Sequence, residues 1–444
     1  MTIRRLINTL MALASLCTLT ACYNYDREEP PQGRGEVYVQ LRINVGSTTA
    51  TDTRADDPMG GDVGNGREEG INNENKLHNV TLLLFKDLTS STVEQTVVFG
   101  ASELTQSDNT YETYPRKLTL DLGVYHVVAL ANLNPLSVSD FSGKTFRQVA
   151  DMMTTQPWVN IGSNINATDF FTMTSTNDVT ITIARDPSDP TKGTYEDPFV
   201  AGPLTIERLA ARIDIDATGS KAGQDFVYDY KDATDNVVGT VTVKEIRALN
   251  LLNSGTYLLK HFSASGTADD VTFFDSEGTS PTQSKYVLDP NTTAKTAEGT
   301  ASYYTLPMPV SVETGLAWAT TPAPLTADKT VATGDDAGHK YFILAYAQEN
   351  TLPPVASGVV DALLPKYATA LAVHYTITEG ATTTDHYDTY YLKHNNNSDM
   401  MRYSVVRNNI YRVTLVPPVK SGSAMTIKIK VKKWDKFTHS MIYM

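Results

Sequence analysis

The chain has 444 residues, of which 41% are apolar and 20% charged, and its formal charge is −13. That length fits two or three domains with sizeable cores. The acidic balance argues against nucleic acid and against polybasic contact with a membrane.

The N-terminus reads as an export signal. Arg4 and Arg5 form a positive start, and Leu6 to Thr20 form an apolar stretch. It is too short to span a bilayer core of about 30 Å as a helix. Leu19-Thr20-Ala21-Cys22 closes it as a lipobox, so residues 1–21 are the expected signal and Cys22 the expected lipidated residue. The lipid would then be the anchor, since no second apolar segment approaches spanning length. The only other cysteine, Cys17, lies within the signal, which leaves the mature chain no disulfide and no cysteine metal site. Loss of Arg4 and Arg5 takes the formal charge from −13 to −15. The acidic start after Cys22, with Asp26, Glu28 and Glu29, has two readings, a surface-export signal or a solvated linker.

Val37, Val39, Leu41, Ile43 and Val45 alternate strictly with Tyr38, Gln40, Arg42 and Asn44. This predicts a strand with one buried face. Burial of those five side chains is worth roughly 7–15 kcal/mol as an upper bound. That is comparable with the net stability of a domain. Gly46 to Thr53 is small and polar, and Arg54 follows. The stretch to about Asn75, rich in Gly, Asn, Asp and Glu, is expected to be mobile. An arginine in such a stretch suits a trypsin-like protease; a solvated loop residue is the other reading. The Asp56–Glu69 loop lacks the ligand order of a calcium loop and reads as flexible.

Further strands are expected at Val80–Phe85, Lys117–Leu122, Tyr125–Ala131, Val179–Ile183, Leu209–Ile215, Val241–Leu249, Tyr341–Ala347, Leu371–Ile377 and Ile410–Val416. Helical turns are expected around Phe146, Val149 and Met153 and at Val359–Leu364. Many strands at short spacing predict an all-β protein of antiparallel sandwiches. A boundary is expected near 198–205, where Pro198 and Gly202-Pro203 precede a fresh alternation at Leu209. At the far end, Ile427, Ile429 and Val431 alternate with Lys428, Lys430 and Lys432. Trp434 and then Phe437, His439, Met441 and Tyr443 follow, a further strand that could dock in its own sheet or in a neighbour's groove.

Together these features resemble the fimbrillins, subunits of the type V pili of Bacteroidota. The resemblance rests on the lipobox, the Val37–Val45 strand, Thr53-Arg54-Ala55 and the run Asn79–Phe85. It also rests on Tyr341–Tyr346 with Glu349-Asn350-Thr351, on Arg407–Val413, and on the final strand with Trp434. It implies two β-sandwich domains of transthyretin-like type, at 55–203 and 204–444, after an N-terminal segment at 22–54. It implies export as an outer-membrane lipoprotein, cleavage after an arginine by an extracellular arginine-specific protease, and loss of the first strand. A strand from another subunit, generally its C-terminal one, would then fill the groove. Mapped here, Val37, Val39, Leu41, Ile43 and Val45 belong to the leaving strand and Arg54 is the cleavage site. Ile427, Ile429, Val431, Phe437, Met441 and Tyr443 are donor-strand candidates. Arg67 is a competing cleavage site, and Arg34 lies on the wrong side of the strand. The implied partners are other pilin subunits, as a homopolymer, the protease, and the outer membrane through the lipid; no cofactor or metal is implied.

No zinc-protease motif, phosphate-binding glycine loop or nucleophile elbow occurs in the chain. His374, His386 and His394 read as solvated or partly buried histidines and not as a metal site. Asp214 and Asp216, with Arg212, read as a solvated strand face. The leading expectation is a structural pilus subunit of the cell surface that supports adhesion. An anchor or tip subunit is an alternative, as is a surface lipoprotein binding glycan or host protein. In the last case Trp158 and Trp318 would stack on ligand or fill a core.

Overall fold

The computed structural model describes residues 35–45, 67–69, 72–107, 110–133, 137–150, 152, 170–176, 178–184, 187–251, 258–262, 271–273, 328–330, 339–350, 368–393, 403–422 and 424–435. Cys22, Arg34, Arg54, Met153, Trp158, Trp318, Val359–Leu364, His394, Phe437, His439, Met441 and Tyr443 lie outside them.

The protein is all-β. In chain order the strands are β1 (Gly35–Val45), β2 (Arg67–Glu69), β3 (Asn79–Phe85), β4 (Gln95–Gly100), β5 (Leu104–Ser107), β6 (Thr110–Thr113), β7 (Arg116–Leu120) and β8 (Gly123–Ala131). Two short helices follow, α1 (Val138–Phe141) and α2 (Phe146–Ala150). Then come β9 (Met173–Ser175), β10 (Val179–Ile183), β11 (Phe199–Arg208), β12 (Ala210–Asp216), β13 (Val227–Lys231), β14 (Val237–Leu249), β15 (Lys260–Phe262) and β16 (Val271–Phe273). The remainder are β17 (Asp328–Thr330), β18 (Lys340–Gln348), β19 (Ala370–Glu379), β20 (Thr382–Tyr391), β21 (Asn409–Val416) and β22 (Thr426–Asp435).

The expected strands are present: β3, β8, β18 and β21 run a residue or two longer than expected, β14 and β19 longer still, β10 matches, β12 is displaced by one residue, and β7 ends earlier, at Leu120. β11 runs unbroken through Gly202-Pro203, and the chain passes from one sheet to another only at Leu209.

A ten-stranded sheet has the order β4-β3-β8-β9-β11-β1-β6-β5, with β10 on β8 and β7 on β1. β3 reads Asn-Val-Thr-Leu-Leu-Leu-Phe and is buried on both faces after its first residue. Such a continuous apolar run suits a strand covered on both sides. One cover comes from the helices: Phe141, Phe146, Val149 and Ala150 join Leu83, Phe85, Val128 and Leu130 in one core. Ser137 caps α1 and Asp140 reaches back to the Ser137 N–H, a capping box that satisfies orphan amides.

The C-terminal part is a sandwich. A six-stranded sheet, β17-β18-β12-β21-β22-β2, packs against a four-stranded one, β13-β14-β19-β20. Their shared core joins Ala211, Ile213, Ile215, Tyr411 and Val413 of the first to Val241, Val243, Leu371 and Val373 of the second. β12 is central, antiparallel to β18 and parallel to β21, and every one of its residues is buried.

Backbone contacts divide the chain into a small unit (up to Gln40, Pro115–Val124, Thr182–Val200) and a large one that includes both faces of this sandwich. The small unit holds the first half of β1 with β7. In the large unit the second half of β1 lies beside β6. Among the described residues no helix is long and apolar enough to cross a membrane.

Candidate functional site

β1 is the first described element and an interior strand. On one side its first half pairs antiparallel with β7, from Gly35↔Leu120 to Val39↔Arg116. Its second half pairs on that side with β6, from Arg42↔Glu112 to Asn44↔Thr110. On the other side it neighbours β11 in the sheet. The approach there is close: a Cβ on Gly202 of β11 would lie 2.5 Å from the main-chain oxygen of Arg42. Gly202 also holds φ at +108°, so only glycine fits.

The two faces of β1 differ as the alternation requires. Val37, Leu41 and Ile43 are fully buried, and Val39 and Val45 nearly so. The outward residues have named partners. Lys117 Nζ lies 2.5 Å from Glu36 Oε2, and Arg42 Nε donates to Glu112 Oε1 at 2.8 Å. Thr110 Oγ1 donates to Asn44 Oδ1 at 3.1 Å. The Tyr38 and Tyr195 rings meet edge to face at 5.7 Å. Two further main-chain donors of β1 are satisfied from outside the ladders. Tyr38 N–H donates to Gly193 O at 2.8 Å and Leu41 N–H to Thr113 Oγ1 at 3.0 Å.

The chain's last described strand is tied into its own sandwich. β22 pairs antiparallel with β21 from Val416↔Thr426 to Asn409↔Lys433. Ile429 is buried in the sandwich core, with Ile427 packed beside it, while Lys428 faces solvent. The place of Val431 in β22 is described and its side chain is not. The far edge of β22 carries β2, in parallel, with Arg67↔Lys433 and Glu69↔Asp435.

Two expectations fail in the same place. Asp214, Asp216 and Arg212 do not form a solvated face; each is about 1% exposed. Nor is the stretch up to Asn75 loose throughout. Residues 72–75 make a 3₁₀ turn, and Glu74 is fully buried. The cause is one charge cluster. Arg212 grips Asp214 with two bonds of 2.9 Å and donates through Nη1 to both oxygens of Glu74 at 3.2 and 3.1 Å. Tyr346 Oη donates to Glu74 Oε1 at 2.7 Å. Burial first, and then the Glu74 carboxylate, push the Tyr346 phenol far above its ordinary pKa, so it remains a donor.

Sheet register explains the assembly: Arg212 lies opposite Tyr346 of β18, and Asp214 opposite Arg412 of β21. Arg412 Cζ stacks 3.8 Å above the Tyr341 ring. Arg208 ties in the turn, donating to Glu74 O at 2.9 Å, to Asn408 Oδ1 at 2.8 Å, and to Asn75. Asp216 accepts from Thr414 Oγ1 at 2.9 Å and meets His339 Nδ1 at 3.0 Å. A second buried pair joins Arg407 to Glu349, whose carboxyl burial pushes up. Removing one partner of such a buried pair would leave the other charge uncompensated.

The histidines also go to structural contacts. His374 Nε2 lies 2.8 Å from Asp385 Oδ1, and its ring stacks on Tyr387 at 4.4 Å. The His386 ring stacks on Tyr375 at 5.1 Å. Among the described residues no group of three or more His, Cys, Asp or Glu could hold a metal ion.

Residues 39–208 match the profile of a known family, described as the major fimbrial subunit protein (FimA). This bears out the resemblance to fimbrillins over a segment that starts within β1 and ends with β11. No curated protein matches the chain. Among solved structures, the chain is similar to a fimbrilin (fimA) from Porphyromonas gingivalis W83. The identity is 14%, with 91% of this chain and 99% of that one covered and a TM-score of 0.40. It is also similar to the C-terminally truncated tip fimbrial protein Mfa3 from Porphyromonas gingivalis. There the identity is 13%, with 90% and 100% covered and a TM-score of 0.39. At such scores these likenesses carry no argument about function.

Proposed function

We propose that this chain is a structural subunit of a surface fimbria, exported as a lipoprotein on Cys22, cut after Arg54, and polymerised by exchange of its first strand. A single observation carries the reading. β1 is interior to its sheet, buries five aliphatic side chains, and lies before Arg54 in the chain, so a cut there would sever its covalent link to everything that follows. Its departure would open an apolar slot for five side chains and unpair backbone groups on both flanks. Unpaired buried backbone groups are costly. A strand from a second copy repairs both defects at once. The match of residues 39–208 to a fimbrial subunit family supports this role and no enzyme role.

The surroundings of the other candidate residues sharpen the scheme. Arg67 sits in β2 with its backbone paired to Lys433 of β22, which a protease would first have to peel away. This favours Arg54, in the stretch between β1 and β2, as the cut. β22 is paired along its length with β21 and contributes Ile429 to the core. Lending β22 would dismantle the sandwich. The donor therefore belongs after Asp435, where Phe437, Met441 and Tyr443 supply the apolar side chains. Uncut chain that retains β1 would serve as an anchor.

The test is limited digestion of purified full-length chain with an arginine-specific protease. Cleavage at Arg54 should convert monomer into ladders that resist mild denaturant. Cleaved chain that stays monomeric at high concentration would refute polymerisation by this route.

A further inference from the structure

We infer that the solvent-facing side of the first strand's place, not its buried side, selects which strand fits there and in which register. Lys117, Tyr195 and the Gly193 carbonyl are the groups that read it. The inference rests on the strand-exchange reading above and adds a specificity determinant to it.

The buried side is a poor discriminator. Val37 and Val39 point inward, and the same face continues with Leu41, Ile43 and Val45. A slip of two residues keeps an aliphatic side chain in four of the five inward positions, with Gly35 or Ser47 entering the fifth. Aliphatic replacements of similar volume are tolerated best in a core. The outward side cannot slip so easily. It presents an acid, Glu36, then an aromatic, Tyr38, then an amide, Gln40. Lys117 reaches the acid at 2.5 Å, and the Tyr195 ring meets the aromatic edge-on at 5.7 Å and 90°. A two-residue slip would set the phenol against Lys117 and the amide against Tyr195.

The loop that presents Tyr195 is braced for the purpose. It joins β10 to β11. Lys192 Nζ donates to Asp197 Oδ1 at 2.7 Å and lies over the Phe199 ring at 6.0 Å. Gly193 N–H donates to Asp197 O at 2.8 Å. Gly193 is buried with φ at +89°, and a Cβ there would meet the Phe199 ring at 2.7 Å. Only glycine lets the loop turn its carbonyl toward β1 at that point. That carbonyl accepts the Tyr38 N–H at 2.8 Å. Any strand taking the place must supply an N–H there, which excludes proline.

The occupant so defined is a strand with the sequence of β1 itself, with aliphatic inward residues. It carries an acidic outward residue and an aromatic one two positions later, with no proline at the aromatic. The segment after Asp435 carries no acidic residue and would forgo the Lys117 contact. Each outward contact is small because it is exposed. Contacts of this kind fix partner choice and register more than tightness.

The test uses full-length chain nicked at Arg54 and labelled synthetic peptides that displace the severed strand. One peptide has the Gly35–Val45 sequence. The other carries Glu36→Lys and Tyr38→Ser with the inward residues unchanged. The altered peptide should dissociate about tenfold faster. On a Lys117→Glu protein, a peptide carrying Glu36→Lys alone should outlast the parent peptide, a reversal that a folding defect cannot produce. Equal dissociation of all peptides from both proteins would overturn the inference and leave strand exchange standing. Failure of every peptide to enter the nicked chain would overturn strand exchange, and the inference with it.

Discussion

β1 and β12 are both interior strands, yet they are held by opposite means. β1 buries five aliphatic side chains on one face and meets exposed ion pairs on the other. β12 buries everything, including Arg212, Asp214 and Asp216, and its charges are tied to Glu74, Tyr346 and Arg412. A face made of repeating aliphatics can be refilled by another strand with the same period. A charge cluster whose partners differ in type and direction cannot. On the proposed function the two strands would have different tasks: β1 would be exchanged, while β12 would hold the C-terminal sandwich together.

The largest expected effect comes from the cut itself. Arg54→Ala should abolish fimbria on cells while leaving the purified monomer's denaturation midpoint unchanged. Electron microscopy of cells and urea melts of the same protein check the two halves. Fimbriae of normal length on cells carrying that change would show that β1 is released elsewhere or not at all.

Next is the charge cluster. Glu74→Ala leaves Arg212 and the Tyr346 hydroxyl buried beside an empty position. Breaking a buried pair from one side costs about 3–5 kcal/mol, and urea denaturation should register that loss in nicked and intact chain alike.

Leu41→Ala acts on the buried face of β1. It should cost about 2–5 kcal/mol in the intact monomer. It should cost nothing in assembled fimbriae, from which β1 has gone. Equal destabilisation in both would mean that β1 never leaves. The smallest effect belongs to Arg42→Ala. Its pair with Glu112 is exposed, so intact stability should change by about 0–1 kcal/mol.

The same contrast explains how much was legible in the sequence. The alternation from Val37 to Val45 is local, and it marked both the strand and its buried face. β10 was likewise visible end to end from Val-Thr-Ile-Thr-Ile. The Arg-Ile-Asp-Ile-Asp of β12 has the same period yet both of its faces are buried, because period two separates faces without saying what lies over each. The partner of Arg212 on Glu74 is 138 residues away, and Tyr346 is 272 residues from Glu74. Nothing in a short window signals such a pairing.

Glu74 was missed for the converse reason. Its neighbours Asn72, Asn73 and Asn75 read as loop, and one long-range ion pair outweighs that composition. The bracing of the 187–198 loop was also hidden, although Gly193 was a visible signal of an unusual turn. At the far end, the Ile-Lys-Ile-Lys-Val alternation announced β22 but not its commitment to the sandwich core, which depends on β21 and β2.

The account stands or falls on what assembled subunits have lost. Sequencing the first residue of protein sheared from cells as intact fimbriae should return Ala55, with the Gly35–Val45 segment missing from every subunit of the shaft. Shaft subunits that still begin at lipid-bearing Cys22, with that segment in place, would contradict it.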